Sequence, residues 1–181
     1  MIILTLFGII NSVSEKLKPQ EKPITQKAAK VILYNGRSEV LLVHHRDGPW
    51  ILPGGRRNPK EEDTIFGLLN NTLWRELEEE LGLSTEQINH LKDRPFLCFG
   101  FTTCWTKDGI LRKEVVSAIY LGGNNRINTN INPLSEEIFE SGWYNFFHLP
   151  TNIDIPSNTI SSIVRLRSIL TGHARARYRR F

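Results

Sequence analysis

The sequence predicts an α+β fold, dominated by strands, with one helix in the middle of the chain and one near its end. Three observations carry that expectation. Apolar runs of strand length recur between turn signals along most of the chain. One acidic stretch, Leu73–Leu83, instead places Leu73, Trp74, Leu77 and Leu81 on a single helical stripe. The 181 residues are 40% hydrophobic and 23% charged, a balance that suits one globular domain with a buried core.

The elements follow in order. Met1–Ile10 is an apolar run too short to span a bilayer, which needs about 20 residues. An extra strand, a partner-binding patch and the apolar part of a signal peptide all fit it, although no Lys or Arg precedes it. Ser14–Thr25 is polar, contains two prolines and reads as a linker. Lys27–Tyr34 and Glu39–His45 read as strands joined at Asn35-Gly36. Trp50-Ile51-Leu52 runs as a strand-like piece into the turn Pro53-Gly54-Gly55, where glycines allow close backbone approach. Phe96–Trp105 and Leu111–Leu121 form a second hairpin around Lys107-Asp108-Gly109. Gly122–Pro133 is an Asn-rich loop, Gly142–Phe147 a short strand, and 157–171 a last helix. The expected organisation is an N-terminal segment and linker over 1–25, one domain over 26–171, and a basic tail over 172–181.

The formal charge of +4 belongs to one end. Arg165–Phe181 holds six arginines and no acid, so the remainder carries −2. The stretch Arg175–Arg180 can hold RNA or another polyanion through phosphate contacts; a solvated terminus is the alternative. Cys98 and Cys104 stand six residues apart on one strand, about 20 Å, which is too far for a disulfide. Reduced thiols and a cytoplasmic location follow as the expectation.

The chemistry concentrates in Arg75-Glu76-Leu77-Glu78-Glu79-Glu80-Leu81-Gly82-Leu83. On a helix, Glu76, Glu79 and Glu80 stand at i, i+3 and i+4 and share a face, where like charges repel. A hard divalent cation reverses that penalty, because Mg2+ and Mn2+ prefer carboxylate oxygen. A solvated acidic face is the alternative for such a stretch taken alone. Gly82 suits the left-handed position that closes a helix.

Together with the Pro-Gly-Gly turn, these residues resemble the Nudix hydrolase family, whose box reads G-x5-E-x7-R-E-U-x-E-E-x-G-U with U aliphatic. The second half matches from Arg75 through Leu83 and the first half from Gly55 to Glu61; the resemblance covers roughly 27–150. Between Glu61 and Arg75 lie 13 residues where the box has seven, an excess of six. Placed in the helix, six residues add about 9 Å and carry Glu61 away. Placed in a loop around Glu61-Glu62-Asp63, they let the helix start near Thr64, with Asp63 or Thr64 as N-cap, and run over about 64–82. The second placement is preferred, and Glu61 can then fold back towards Arg75. Gly67 inside such a helix weakens it by roughly 1 kcal/mol relative to Ala.

The resemblance implies an α/β/α sandwich with a mixed sheet, and hydrolysis of the pyrophosphate linkage of a nucleoside diphosphate bound to a moiety X, with Mg2+ (or Mn2+). It assigns Glu76, Glu79 and Glu80 as metal ligands, the Gly55 carbonyl as a further ligand, and Arg75 as the residue that orients Glu79 or Glu61. Glu79, Glu80 and Arg75 are the expected catalytic group. Glu137, with Glu136 and Glu140 behind it, is the candidate base on a later loop. Substrate contacts are expected at His44 and Arg46, which end a strand near the glycine turn, and at Phe99. The alternation of Phe96, Phe99, Phe101 and Trp105 equally fits a buried strand face. An RNA 5′-end pyrophosphohydrolase and a non-catalytic nucleotide sensor are the two alternatives.

Overall fold

The computed structural model describes residues 25–46, 48–105, 109–123, 125–128 and 138–178, apart from the side chains of 100–102, 104, 105 and 173–178. Met1–Ile10, Glu136, Glu137 and Arg179–Arg180 lie outside the described residues. Strands β1 (Thr25–Tyr34) and β2 (Glu39–His45) are followed by the two-residue β3 (Trp50–Ile51). A helical run comes next: α1 (Ile65–Gly67), a π-helical stretch (Leu68–Thr72) and α2 (Leu73–Leu81). Then come α3 (Thr85–Lys92), β4 (Phe96–Trp105), β5 (Leu111–Tyr120), β6 (Ile138–Asn145) and α4 (Ser157–Tyr178).

The sheet is mixed. Its order is β3-β2-β1-β5-β4, with β6 on the other side of β2. β1 runs parallel to β5 along all ten of its residues, while the β1–β2, β2–β3, β2–β6 and β4–β5 pairs are antiparallel. Ala28–Tyr34 of β1 is buried throughout, as a central strand covered on both faces must be. On one face, Ala29, Val31, Leu41, Val43 and Val115 pack against Leu68, Leu73, Leu77 and Leu81 of the π-helical stretch and α2. On the other, Ile32, Leu42, Val116 and Ala118 pack against Ile163 and Leu166 of α4. This is the expected α/β/α sandwich. Each fully buried leucine, such as Leu77, contributes about 1.5–3 kcal/mol through its removal from water.

One departure from regularity positions everything that follows. β1 and β2 pair at a single position, Tyr34↔Val40, and then part. The chain after β3 enters the resulting wedge and pairs with β1: Val31 N–H donates to Pro53 O (3.0 Å), Ala29 N–H to Gly55 O (3.0 Å), and Arg57 N–H to Lys27 O (2.9 Å). The glycine turn is therefore part of the sheet, set against the helix-bearing face.

The helix begins where expected. Thr64 caps it, its hydroxyl accepting from Gly67 N (3.0 Å), and Gly82 closes it at φ 61°. The π-helical stretch inside it was not expected. Gly67 also has a reason to be glycine: a Cβ there would lie 2.5 Å from Glu62 O, so its absence lets the inserted loop cross the helix start. Three other boundaries differ from the sequence expectation. A helix the sequence reading omitted, α3, follows the acidic one; Ser84 and Gln87 form a reciprocal capping box at its start. β6 begins at Ile138 rather than Gly142, because its pairing with β2 extends down to His44 and His45. α4 continues to Tyr178, so the boundary expected at 171 falls within a helix. Among the described residues no helix is long and apolar enough to cross a membrane.

Candidate active site

α2 turns two of its carboxylates inward. Glu76 is 8% exposed and Glu80 5%, while Glu79 stands at the rim with its side chain 57% exposed. Both inner acids meet the glycine turn. Gly54 N–H donates to Glu80 Oε2 at 2.6 Å. Gly55 lies so near Glu76 that a Cβ would sit 2.0 Å from its Oε2. Only glycine allows this approach of backbone and carboxylate.

Arg75 gathers three acids with one guanidinium. Its Nε donates to Glu61 Oε1 (2.8 Å), and its Nη1 lies 2.7 Å from both Glu76 Oε1 and Glu79 Oε2. Nη2 donates to the Arg56 carbonyl at 2.9 Å. Glu61 therefore does fold back, despite the six extra residues. Thr72, the last residue of the π-helical stretch, donates its hydroxyl to Glu61 Oε2 (2.6 Å) and holds it there. The wider helical turn thus places a hydroxyl under the returning loop.

The ionisations follow the surroundings. Burial pushes the Glu76 carboxyl up, and Arg75 only partly opposes it. At Glu61 burial acts the same way, but Arg75, Thr72 and the Asn58 N–H outweigh it and the carboxyl titrates below its ordinary value. Burial disfavours the charge of Arg75, yet Glu61, Glu76 and Glu79 hold its pKa above the usual arginine value.

The donor set fits a hard divalent cation. It consists of carboxylate oxygens and backbone, and the missing side chain at Gly55 lets the turn come directly against Glu76. Among the described residues no three acidic, histidine or cysteine side chains are already placed to hold a metal ion together. The reason is visible in the contacts: Arg75 draws Glu76 and Glu79 towards itself, and Gly54 N–H holds Glu80.

The substrate candidates are scattered. His44 turns to the α4 face, its ring stacked on Trp50 (4.8 Å between centroids, 4° between planes) and its Nδ1 3.5 Å from Glu140 Oε1. Its neighbour His45 faces α2 instead, with Nε2 4.0 Å from Glu80 Oε1. Phe99 is buried among the residues beneath α4, with the Arg165 guanidinium 5.5 Å over its ring, so it is not gathered with the glutamates. Arg46 is exposed just past β2. A cleft of about 650 Å3 lies elsewhere, bordered by Glu86, His90, Arg94 and Arg126, and none of the glutamates of α2 lines it.

A split mixed sheet between two helical layers, with an arginine-bound glutamate helix against a glycine turn, defines the Nudix class of domain. A family model described as the NUDIX domain matches residues 24–160, and the chain belongs to that family. It is a hydrolase acting on pyrophosphate bonds. Solved structures share the fold. A MutT protein from Methanosarcina mazei is 18% identical, with TM-score 0.59, over 80% of this chain and 94% of that one. A MutT NUDIX hydrolase from Burkholderia pseudomallei is 16% identical, with TM-score 0.56, over 77% and 95%. A C. elegans Ap4A hydrolase is 18% identical, with TM-score 0.55, over 80% and 98%. At these identities the likeness is one of fold. Among curated proteins none matches the chain.

Proposed function

We propose that this chain cleaves the pyrophosphate linkage of a nucleoside diphosphate bound to a further moiety X, using Mg2+ or Mn2+ held by Glu76, Glu79, Glu80 and the Gly55 carbonyl. The observation that carries the reading is the pair of buried carboxylates, Glu76 and Glu80, pressed against a glycine turn with no room for a side chain. Carboxylate oxygens gathered beside a backbone turn are the ligands a hard divalent ion prefers. Bound there, such an ion polarises phosphoryl oxygen and lowers the pKa of water.

The chain's own residues supply position. Arg75 fixes the spacing of Glu61, Glu76 and Glu79 along the helix. Gly54 N–H orients Glu80, and His45 lies beside the same carboxylate on the approach from β2. The half-exposed Glu79 is the carboxylate able to swing towards an incoming phosphate. Glu137 is proposed as the base. His44 and Arg46 are proposed to meet the substrate beyond the end of β2, and a cytoplasmic location goes with this reading.

The test is a substrate panel of nucleoside triphosphates, sugar nucleotides and RNA carrying a 5′ pyrophosphate, each with Mg2+ and with Mn2+. Cleavage of at least one nucleotide to a nucleoside monophosphate and a phosphorylated X (pyrophosphate where the substrate is a triphosphate), abolished by chelator, is expected. Tight nucleotide binding without turnover of any of them defeats the proposal in favour of a sensor. Cleavage confined to RNA ends and lost on deleting 172–181 assigns the substrate to the basic end of α4.

A further inference from the structure

Lys30 is the only cation in the buried run Ala28–Tyr34, and it is 8% exposed. A lysine so deep in a sheet is costly unless its ammonium has a purpose-built partner. The strand alternates, and Ala29 and Val31 belong to the α2-facing cluster, so Lys30 leaves β1 on the opposite side. From there its Nζ donates a short hydrogen bond to the Gly54 carbonyl.

That carbonyl belongs to the one peptide of the turn that β1's own backbone does not grip. The carbonyl of Pro53 is held by Val31 N–H, and the carbonyl of Gly55 by Ala29 N–H. Between them stands the Gly54–Gly55 peptide, flanked by two glycines and free of the side-chain clashes that fix other peptides. Gly54 has φ +116°, and a Cβ on it would lie 2.2 Å from Ala29 O. The residue is thus gripped from both sides of the sheet: its N–H by Glu80 on the α2 side and its carbonyl by Lys30 from the other.

We infer that Lys30 is a positioning residue that locks the Gly54–Gly55 peptide in one orientation, so that Gly55 lies against Glu76 and the backbone leaving Gly54, whose N–H meets Glu80, keeps its course. This rests on the hydrolase reading for its consequence, though the lock itself does not.

The experiment substitutes Lys30→Met in the full chain, which keeps the apolar stem and removes the donor. Three quantities are read. The first is the Gly54 and Gly55 amide signals and their hydrogen exchange in metal-free protein. The second is the dissociation constant of Mn2+ alone. The third is kcat and KM on whichever nucleotide the wild type cleaves. Shifted, faster-exchanging glycine amides, Mn2+ affinity weakened several-fold and kcat lowered about tenfold at near-constant KM are expected. Should Lys30→Met fail to fold, Lys30→Gln, whose side chain is too short to reach, carries the same three readouts. Unchanged glycine amides with unchanged Mn2+ affinity overturn the inference. Altered amides and weaker Mn2+ binding in a protein that cleaves nothing leave the lock standing and remove the hydrolase reading alone.

Discussion

Two arginines sit at opposite ends of the split sheet, and their surroundings differ in one respect. Among the described residues Arg126 meets one carboxylate, Glu39, with two hydrogen bonds of 3.0 and 2.6 Å, and Asn35 Nδ2 donates to the same side chain at 2.8 Å. Charge is matched there, and the arrangement ties β2 to the loop after β5. Arg75 meets Glu61, Glu76 and Glu79, with Glu80 close by on the same helix. One guanidinium is shared among three acids there, and Glu76 and Glu80 are buried. The matched end holds Glu39 well below the carboxylate range, at about 2, while at the Arg75 end burial raises Glu76. One carboxylate on one arginine serves structure, whereas several carboxylates gathered on one arginine beside a glycine turn assemble oxygens of the kind a divalent ion takes. The contrast separates two features that both look like ordinary ion pairs.

The largest effects are expected at the Arg75 end. Glu80→Gln and Glu79→Gln each lose at least about tenfold in rate, roughly 1.4 kcal/mol of barrier. Glu80→Gln should be the worse of the two because its carboxylate is buried against Gly54. Full activity in both variants breaks the comparison outright. Gly55→Ala comes next and sharpens it. The new methyl would strike the mobile end of Glu76, so the side chain yields and the fold loses about 1 kcal/mol or less, while the carboxylate leaves its place. Mn2+ affinity and rate should therefore fall far more than the thermal midpoint. A loss of stability with intact Mn2+ binding would make the glycine merely structural.

A milder effect is expected for Glu61→Gln. The amide keeps one acceptor oxygen, enough for Arg75 or for Thr72 but not both, and removes the charge. Stability should drop by about 1 kcal/mol, with a rate loss smaller than that of Glu80→Gln. Denaturant unfolding alongside initial rates decides the ranking, and a larger rate loss at Glu61 than at Glu80 reverses it.

The legible parts of this site are local, and the illegible ones depend on partners distant in sequence. The face shared by Glu76, Glu79 and Glu80 follows from spacing within one helix, and the glycine turn from its own residues. The return of Glu61 depends on a π-helical stretch and on Thr72, neither of which any short window announces. The phase of β2 was hidden for a different reason. Val40, Leu41, Leu42 and Val43 are all apolar because both faces are buried, so nothing in the strand tells which of His44 and His45 faces α2. Phe99 suffered the same ambiguity on β4. α3 was readable, since Ser84-Thr85-Glu86-Gln87 carries its capping box in plain sequence. The extra length of β6 was not, because residues 138–141 are held by the pairing with β2 rather than by strand propensity.

The smallest effect belongs to the matched end, and its sign can be worked out. Hydrogen bonds from Arg126 and Asn35 depress Glu39 from an ordinary 4.5 to about 2 in the folded chain. A carboxyl with a lowered folded pKa adds stability that is complete above the unfolded value and fades as pH falls towards the folded one. Glu39→Gln should therefore lower the thermal midpoint by a constant small amount from pH 7 to about 5. The gap to the wild type should then close between about 4.5 and 2, because both chains are neutral at this position once the acid is protonated. Mn2+ affinity at neutral pH should not change. A gap that persists undiminished at pH 2 means the contribution is packing rather than charge. A variant that loses Mn2+ binding means the two ends of the sheet are not separable after all.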